Sequence, residues 1–338
     1  MSTDQVDGAG EPAAAREPLQ LPGLGRAGAI VVGVLFWGWL LLRWTNDWLL
    51  PPGVGVPEGE PFLPVAPVEA AAGALGTLAA DVAASGGAVG WAVGGLVGAL
   101  AGTLDAVAFG IDTLPALAQG AWLTILLTTS SIVLGFFIAV PLAVARVYGG
   151  TLTRWVSLAY TELIRGTPLL AQLFVLFFGL GLTRYIRAVP GVGQGFIPDQ
   201  AVWVAIIGFI INSSAYQSEY IRSALLSVES GQLTAARAIG LSRIEGIRYV
   251  VLPQGLRFAI PGWSNELVYL IKYSSLAAFI TVPELFFRGN DVASETFRYT
   301  AMFTMVALMY LALVLSASTL MTAVEERTRI PGLGSGGR

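Results

Sequence analysis

The sequence contains no cysteine and no histidine. Disulfides, thiolate or imidazole zinc sites and every Cys/His or Ser/His nucleophile pair are thereby excluded, and no metal site is expected. Lysine is nearly absent too. Of 19 basic residues one is a lysine, Lys272, and because it follows Ile271 no G-x-x-x-x-G-K-[ST] phosphate loop exists. No cofactor is expected, and any nucleotide chemistry must belong to a partner. Charged residues make up 12% of the chain, where a soluble domain carries about a quarter. The net charge of −3 leaves no basic surface to suggest nucleic acid. What fills the chain instead is apolar: 55% hydrophobic residues and a mean hydropathy of +0.70. These features predict an all-α, polytopic transmembrane helical bundle, and hence a protein of the cell membrane.

A helix crossing the hydrocarbon needs about 20 mainly apolar residues. Runs of that kind occupy residues 27–48, 121–145, 201–221, 259–282 and 299–323, with a sixth at 157–182 whose first turns carry Glu162 and Arg165. The first run reads as an extra N-terminal span over 27–50, since Arg43, Asn46 and Asp47 follow it where a cleaved signal would have small residues. Residues 51–116 read as an Ala/Gly-rich insertion with additional spans open to it: the stretch from Val65 to Gly110 fits a loose helical hairpin, one extra span or an extramembrane insertion, and an even number of crossings gives the better charge asymmetry. With both termini cytoplasmic, twelve arginines fall inside and four (Arg184, Arg187, Arg288, Arg298) outside, a positive-inside bias. Residues 1–26 and 328–338 read as flexible tails.

The inside segment from Arg222 to Pro253 has legible local chemistry. Gly231 is expected to break the incoming helix, Gln232 to Ile239 to restart a short one, and Gly240 to take the left-handed conformation after it. Ser242 with Glu245 forms a capping box for the next helix, and Pro253 is expected to end it. The short helix would present Leu233, Ala236 and Ile239 to a groove on a partner. A helix-turn-helix reading fails, because membrane spans tether the segment and the second helix offers Ile244, Ile247 and Val250 in place of base-reading side chains.

This loop resembles the cytoplasmic signature of permease subunits of type I ATP-binding-cassette importers, specifically the polar amino-acid branch. That signature is Glu-Ala-Ala, three residues, Gly, nine residues, Ile, one residue, Leu-Pro. Here it reads Thr234-Ala235-Ala236, Gly240, Val250, Leu252-Pro253. Further matches are Arg165-Gly-Thr-Pro-Leu-Leu-Ala-Gln172, Ala215-Tyr216 with Glu219 and Arg222, Gly231-Gln232, Gln254, Asn265 and Lys272-Tyr-Ser-Ser-Leu276. Thr234 stands where Glu is usual and Ser274 where Thr is usual. The resemblance covers 117–327. It implies a permease domain of about five core helices and a loop (Gly231, Thr234, Ala235, Ala236, Gly240, Leu252, Pro253) that docks on the ATPase. It also implies two ATPase subunits, an extracytoplasmic amino-acid-binding protein, a homodimer or a heterodimer with a homologous permease, and a polar amino acid as cargo.

Polar groups at bilayer depth default to a functional reading. Lys272 lies about 16 Å past Pro261 along a helix, near the midplane, where it either pairs with Glu162, Glu219 or Glu266 or lines the pathway. Asn212, Ser213, Tyr216 and Gln217 form a polar stripe that lines the pathway or bonds between helices, and Ser274 and Ser275 accompany Lys272 or bond back to the backbone. A secondary carrier or channel would account for Lys272 and the stripe but has no need of the loop. An intramembrane enzyme lacks a His, a Cys or a paired midplane Asp.

Overall fold

The computed structural model describes residues 26–51, 53–194 and 197–328, and helices are the sole regular elements among them. The expected tails fall almost entirely outside the described residues. Helix α1 (Arg26–Trp44) carries the first apolar run. Arg43, Asn46 and Asp47 at its C-terminal end form an anchor. Arg43 is fully buried, pairs with Asp47 through Nη2 and Oδ1 at 2.5 Å, donates to the Glu60 carbonyl and lies over the Phe62 ring. Asn46 exchanges two hydrogen bonds with the Val56 backbone, so the loop after α1 is folded back onto its end.

Helix α2 (Ala66–Ala84) turns at Gly86 and Gly87, both with φ near +80°, into α3 (Gly87–Tyr148), one helix of 62 residues. The insertion and the span expected from 121 are thus joined in a single helix. Phe109, Leu117, Ala118 and Ala121 keep a buried face across that stretch, and tertiary packing overrides the local signals of Gly110 and Pro115.

Helix α4 (Thr151–Arg165) and α5 (Leu169–Phe174), extended by a π turn to Gly179, meet at a bend of 100°. The expected run 157–182 is therefore a broken span. Pro168 disfavours helical backbone at Thr167, and Gln172 reaches back to donate to the Ile164 and Thr167 carbonyls at 2.7 and 3.1 Å. After the short α6 (Leu182–Arg187), α7 (Gln200–Leu226) runs through the middle of the bundle. Then come α8 (Gly231–Ala238), α9 (Arg243–Gly246), a π turn, α10 (Leu252–Tyr273), a 3-10 turn to Ile280, α11 (Leu285–Thr296) and α12 (Tyr299–Thr328). Helices α3, α7 and α12 are long and apolar enough to cross a membrane, and the two bent pairs raise the number to five.

Three apolar clusters hold the bundle. One joins α1, α3, α11 and α12 around Leu40, Leu117, Leu285 and Met302. A second packs α3, α5 and α7 around Leu127, Leu173 and Phe209. The third closes the loop end around Ala139, Ile221, Leu225 and Val251. Fully desolvating such side chains stabilises by about 1.5–3 kcal/mol each in water; at lipid-exposed positions that drive vanishes and packing alone remains.

Candidate functional site

Helix α7 ends at Leu226, five residues before Gly231, so the interruption lies in Ser227–Ser230 and Gly231 opens α8 instead of breaking its predecessor. Gly240 has φ +95°, a region costly to any residue with a Cβ. Around it the Gly240 amide donates to the Arg237 carbonyl at 3.1 Å and the Leu241 amide to that of Ala236 at 3.2 Å, which closes the C-terminus of α8. The capping box is present. Ser242 N–H donates to Glu245 Oε2 at 2.8 Å and the Glu245 N–H to Ser242 Oγ at 3.3 Å. The Ser242 hydroxyl and amide together hold the Glu245 carboxyl below its ordinary range. Arg243 donates to the Tyr148 carbonyl at 2.8 Å, tying the loop to the end of α3.

The face of α8 differs from expectation. Ala236 is 3% exposed and Leu233 packs into the Val251 cluster, so both turn toward this chain, whereas Ile239 is 80% exposed. The cause is local: Ile239 sits past the last helical turn with φ −91° and ψ 13° and leaves the helical register. Thr234, Ala235 and Gly240 are exposed. Pro253 does not end a helix. It sits in the first turn of α10, behind a π turn over Ile247–Val251 in which the Leu252 amide bonds to Ile247. That wider turn relieves the clash a proline makes with the carbonyl four residues earlier.

Within the bundle, Asn212, Ser213 and Gln217 are buried inside this chain. Asn212 Nδ2 donates to Gln172 Oε1 at 3.1 Å, and Gln217 Nε2 donates to the Ile132 carbonyl at 3.1 Å and to Ser213 Oγ at 2.9 Å. Tyr216 is half-buried under the Arg165 guanidinium, 5.3 Å from its ring centre. Lys272 is exposed and makes no ion pair among the described residues; its Nζ lies 4.9 Å over the Tyr269 ring, which stacks on Tyr273 at 5.9 Å. Of the three carboxylates expected as its partner, Glu219 bonds Arg146 and Arg222, Glu266 is buried and Glu162 is exposed, and none of them pairs with Lys272. Ser274 is buried and donates to the Ile271 carbonyl, while Ser275 donates to that of Lys272. Tyr220, one turn beyond Tyr216 on α7, packs against Gly262 of α10, one turn before Glu266 and two before Tyr269. A face of tyrosine rings and two cations therefore runs from Arg165 to Lys272. Sequence reasoning missed Tyr220, Tyr269 and Tyr273, although the i, i+4 spacing of the last two was available. It also missed the fully buried Glu284, which caps α11 and accepts from Tyr310 at 2.7 Å.

The family described as "Binding-protein-dependent transport system inner membrane component" matches residues 131–330. This chain belongs to that family. As a member of it the chain is a transport permease of an ATP-binding-cassette importer with the matching fold; it is a membrane protein and not an enzyme. ATP hydrolysis lies with an ATPase partner, and a binding protein is the other partner. The probable amino-acid ABC transporter permease YckA of Bacillus subtilis is 38% identical over 217 residues, 64% of this chain and 91% of that protein. The glutamine transport permease GlnP of Escherichia coli is 34% identical over 218 residues, 64% and 94% of the two chains. Among solved structures, an amino acid ABC transporter with histidines superposes with TM-score 0.54 at 29% identity, covering 63% of this permease and 94% of that chain. The family match begins at residue 131, within α3, so α1, α2 and the first 44 of the 62 residues of α3 lie outside it.

Proposed function

We propose that this permease, paired with a second copy or a homologous subunit, encloses the pathway for a polar amino acid and that α8 is the element an ATPase dimer grips. Residues 117–327 form the permease domain, and both termini lie in the cytoplasm, in keeping with the arginine bias. The observation that carries the reading is the construction of the loop. Its inner side is fixed by Leu233, Ala236, the Ser242–Glu245 box and the Arg243–Tyr148 bond, while Thr234, Ala235 and Gly240 stay open to a partner. A lever needs that combination, since a partner's movement must reach the bundle and not be lost in the loop.

The face from Arg165 and Tyr216 past Tyr220 to Tyr269 and Lys272 lines the pathway in this reading. Cations meet a cargo carboxylate, and ring faces meet its ammonium group. Asn212, Ser213 and Gln217 hold α7 against α3 and α5, behind that face. In proteoliposomes containing the permease, its ATPase and its binding protein, amino-acid uptake should require both ATP and the binding protein. Gly240→Leu should insert normally and lower uptake at least tenfold, because its Cβ strains the turn and its bulk fills the docking side. Uptake without ATP, or normal uptake by an assembled Gly240→Leu permease, would overturn the reading.

A further inference from the structure

Helix α3 is far longer than a membrane requires. At 1.5 Å per residue its 62 residues reach ~93 Å, about three times the hydrocarbon thickness. A girdle of Trp44, Trp48 and Trp122, with ring centres 5.2–6.3 Å apart, gathers where Trp44 Nε1 donates to the Ala118 carbonyl. Tryptophans concentrate at the membrane boundary, so the part of α3 before Leu117 continues beyond it, on the outer side. Helix α2 packs antiparallel on that extension. A Cβ on Gly94 would lie 2.8 Å from the Ala79 carbonyl oxygen, so the two backbones are in close contact. At the base Arg298 pairs with Asp105 at 2.6 Å and covers the Phe109 ring, fixing the hairpin to α12.

Because small residues fill the hairpin's interior, its large side chains face outward. Val89, Val93, Leu96, Leu100 and Val107 are 43–76% exposed. Their spacing of four, three, four and seven is a heptad seam with period 3.5, the pattern by which one helix meets another. Off the seam α3 offers Ala92, Gly95, Ala99, Gly102 and Ala106, with Trp91, 75% exposed, the one large side chain beside them. Lipid would touch both faces alike and would not select the seam. No charged residue occurs between Gly87 and Leu104, so two copies of the seam meet without repulsion. With Leu78 of α2, 48% exposed, the stripe offers on the order of 600 Å² per copy, about 1,200 Å² for two, the lower bound of specific interfaces.

We infer that the α2/α3 hairpin pairs with the same hairpin of a second copy of this chain along the 89–107 seam, forming a four-helix bundle outside the membrane. The pairing rests on the seam, while the side of the membrane on which the hairpin lies rests on the orientation proposed above, so pairing, sidedness and uptake are measured separately. A two-fold axis along the membrane normal brings each seam residue near its own counterpart.

The cysteine-free chain permits a direct test. Leu96→Cys and Leu100→Cys on the seam, with Ala92→Cys and Ala99→Cys off it, are oxidised in native membranes and scored for covalent dimers. The seam positions should give at least tenfold more dimer than the others. Equal yields on both faces, cross-links only to a different protein, or no dimer with both faces shielded from a water-soluble maleimide would each overturn the inference, the last by placing the hairpin in lipid. Since all four side chains are exposed in the single chain, a seam cysteine that fails to cross-link in a permease that still takes up amino acids counts against pairing and not against folding.

Discussion

Lys272 is the residue at which sequence and structure part most usefully. Its isolation in an apolar run makes it conspicuous, but a linear string cannot say whether a carboxylate lies beside it, because that depends on which helix faces meet. In the fold Glu219 is taken by two arginines and Lys272 lies on a tyrosine ring. Lys272→Met should therefore shift the melting temperature of the solubilised permease by no more than about 2 °C, as exposed substitutions change stability by roughly 0.5 kcal/mol. Loss of the cation should weaken competition by acidic amino acids several-fold relative to basic ones. A large drop in melting with an unchanged competition profile would assign Lys272 to structure instead. Gly240 was the opposite case: its left-handed geometry was readable because a chain signal, a helix end before a capping box, requires it locally.

At the scale of elements, the legible ones were those with local causes. The Ser242–Glu245 box is visible in four residues and recurs in the fold. What was not legible depends on distant contacts: the direction of Leu233 and Ala236, the continuity of α3 through Pro115, and the 100° bend between α4 and α5. The bend shows why Arg165-Gly-Thr-Pro-Leu-Leu-Ala-Gln172 is a unit. Pro168 stops one helix, and Gln172 satisfies the carbonyls left open while accepting from Asn212. Gln172→Leu leaves those carbonyls and the Asn212 amide without a partner, a cost of about 1–3 kcal/mol. Thermal melting in detergent should fall by roughly 3–8 °C. An unchanged melting curve would mean the bend is held by packing alone.

At the scale of the whole molecule, composition alone settled a helical membrane protein, and the loop together with the other motifs pointed to the importer permeases to which the chain belongs. The α2/α3 hairpin lies outside that pattern; the Ala/Gly-rich composition allowed a helical hairpin there, but the packing of its faces depends on contacts that no local signal gives. The account turns on mechanical coupling through α8, and the absence of cysteine makes it directly measurable. Single cysteines at Ala235 and Ile239, both exposed, and at the inward-facing Leu233 and Ala236 can be cross-linked in membranes holding the assembled importer. The account predicts adducts with the ATPase subunit at 235 and 239, changing in yield between ATP-bound and nucleotide-free states, and little or none at 233 and 236. An importer that transports normally yet gives no ATPase adduct at either exposed position would contradict it.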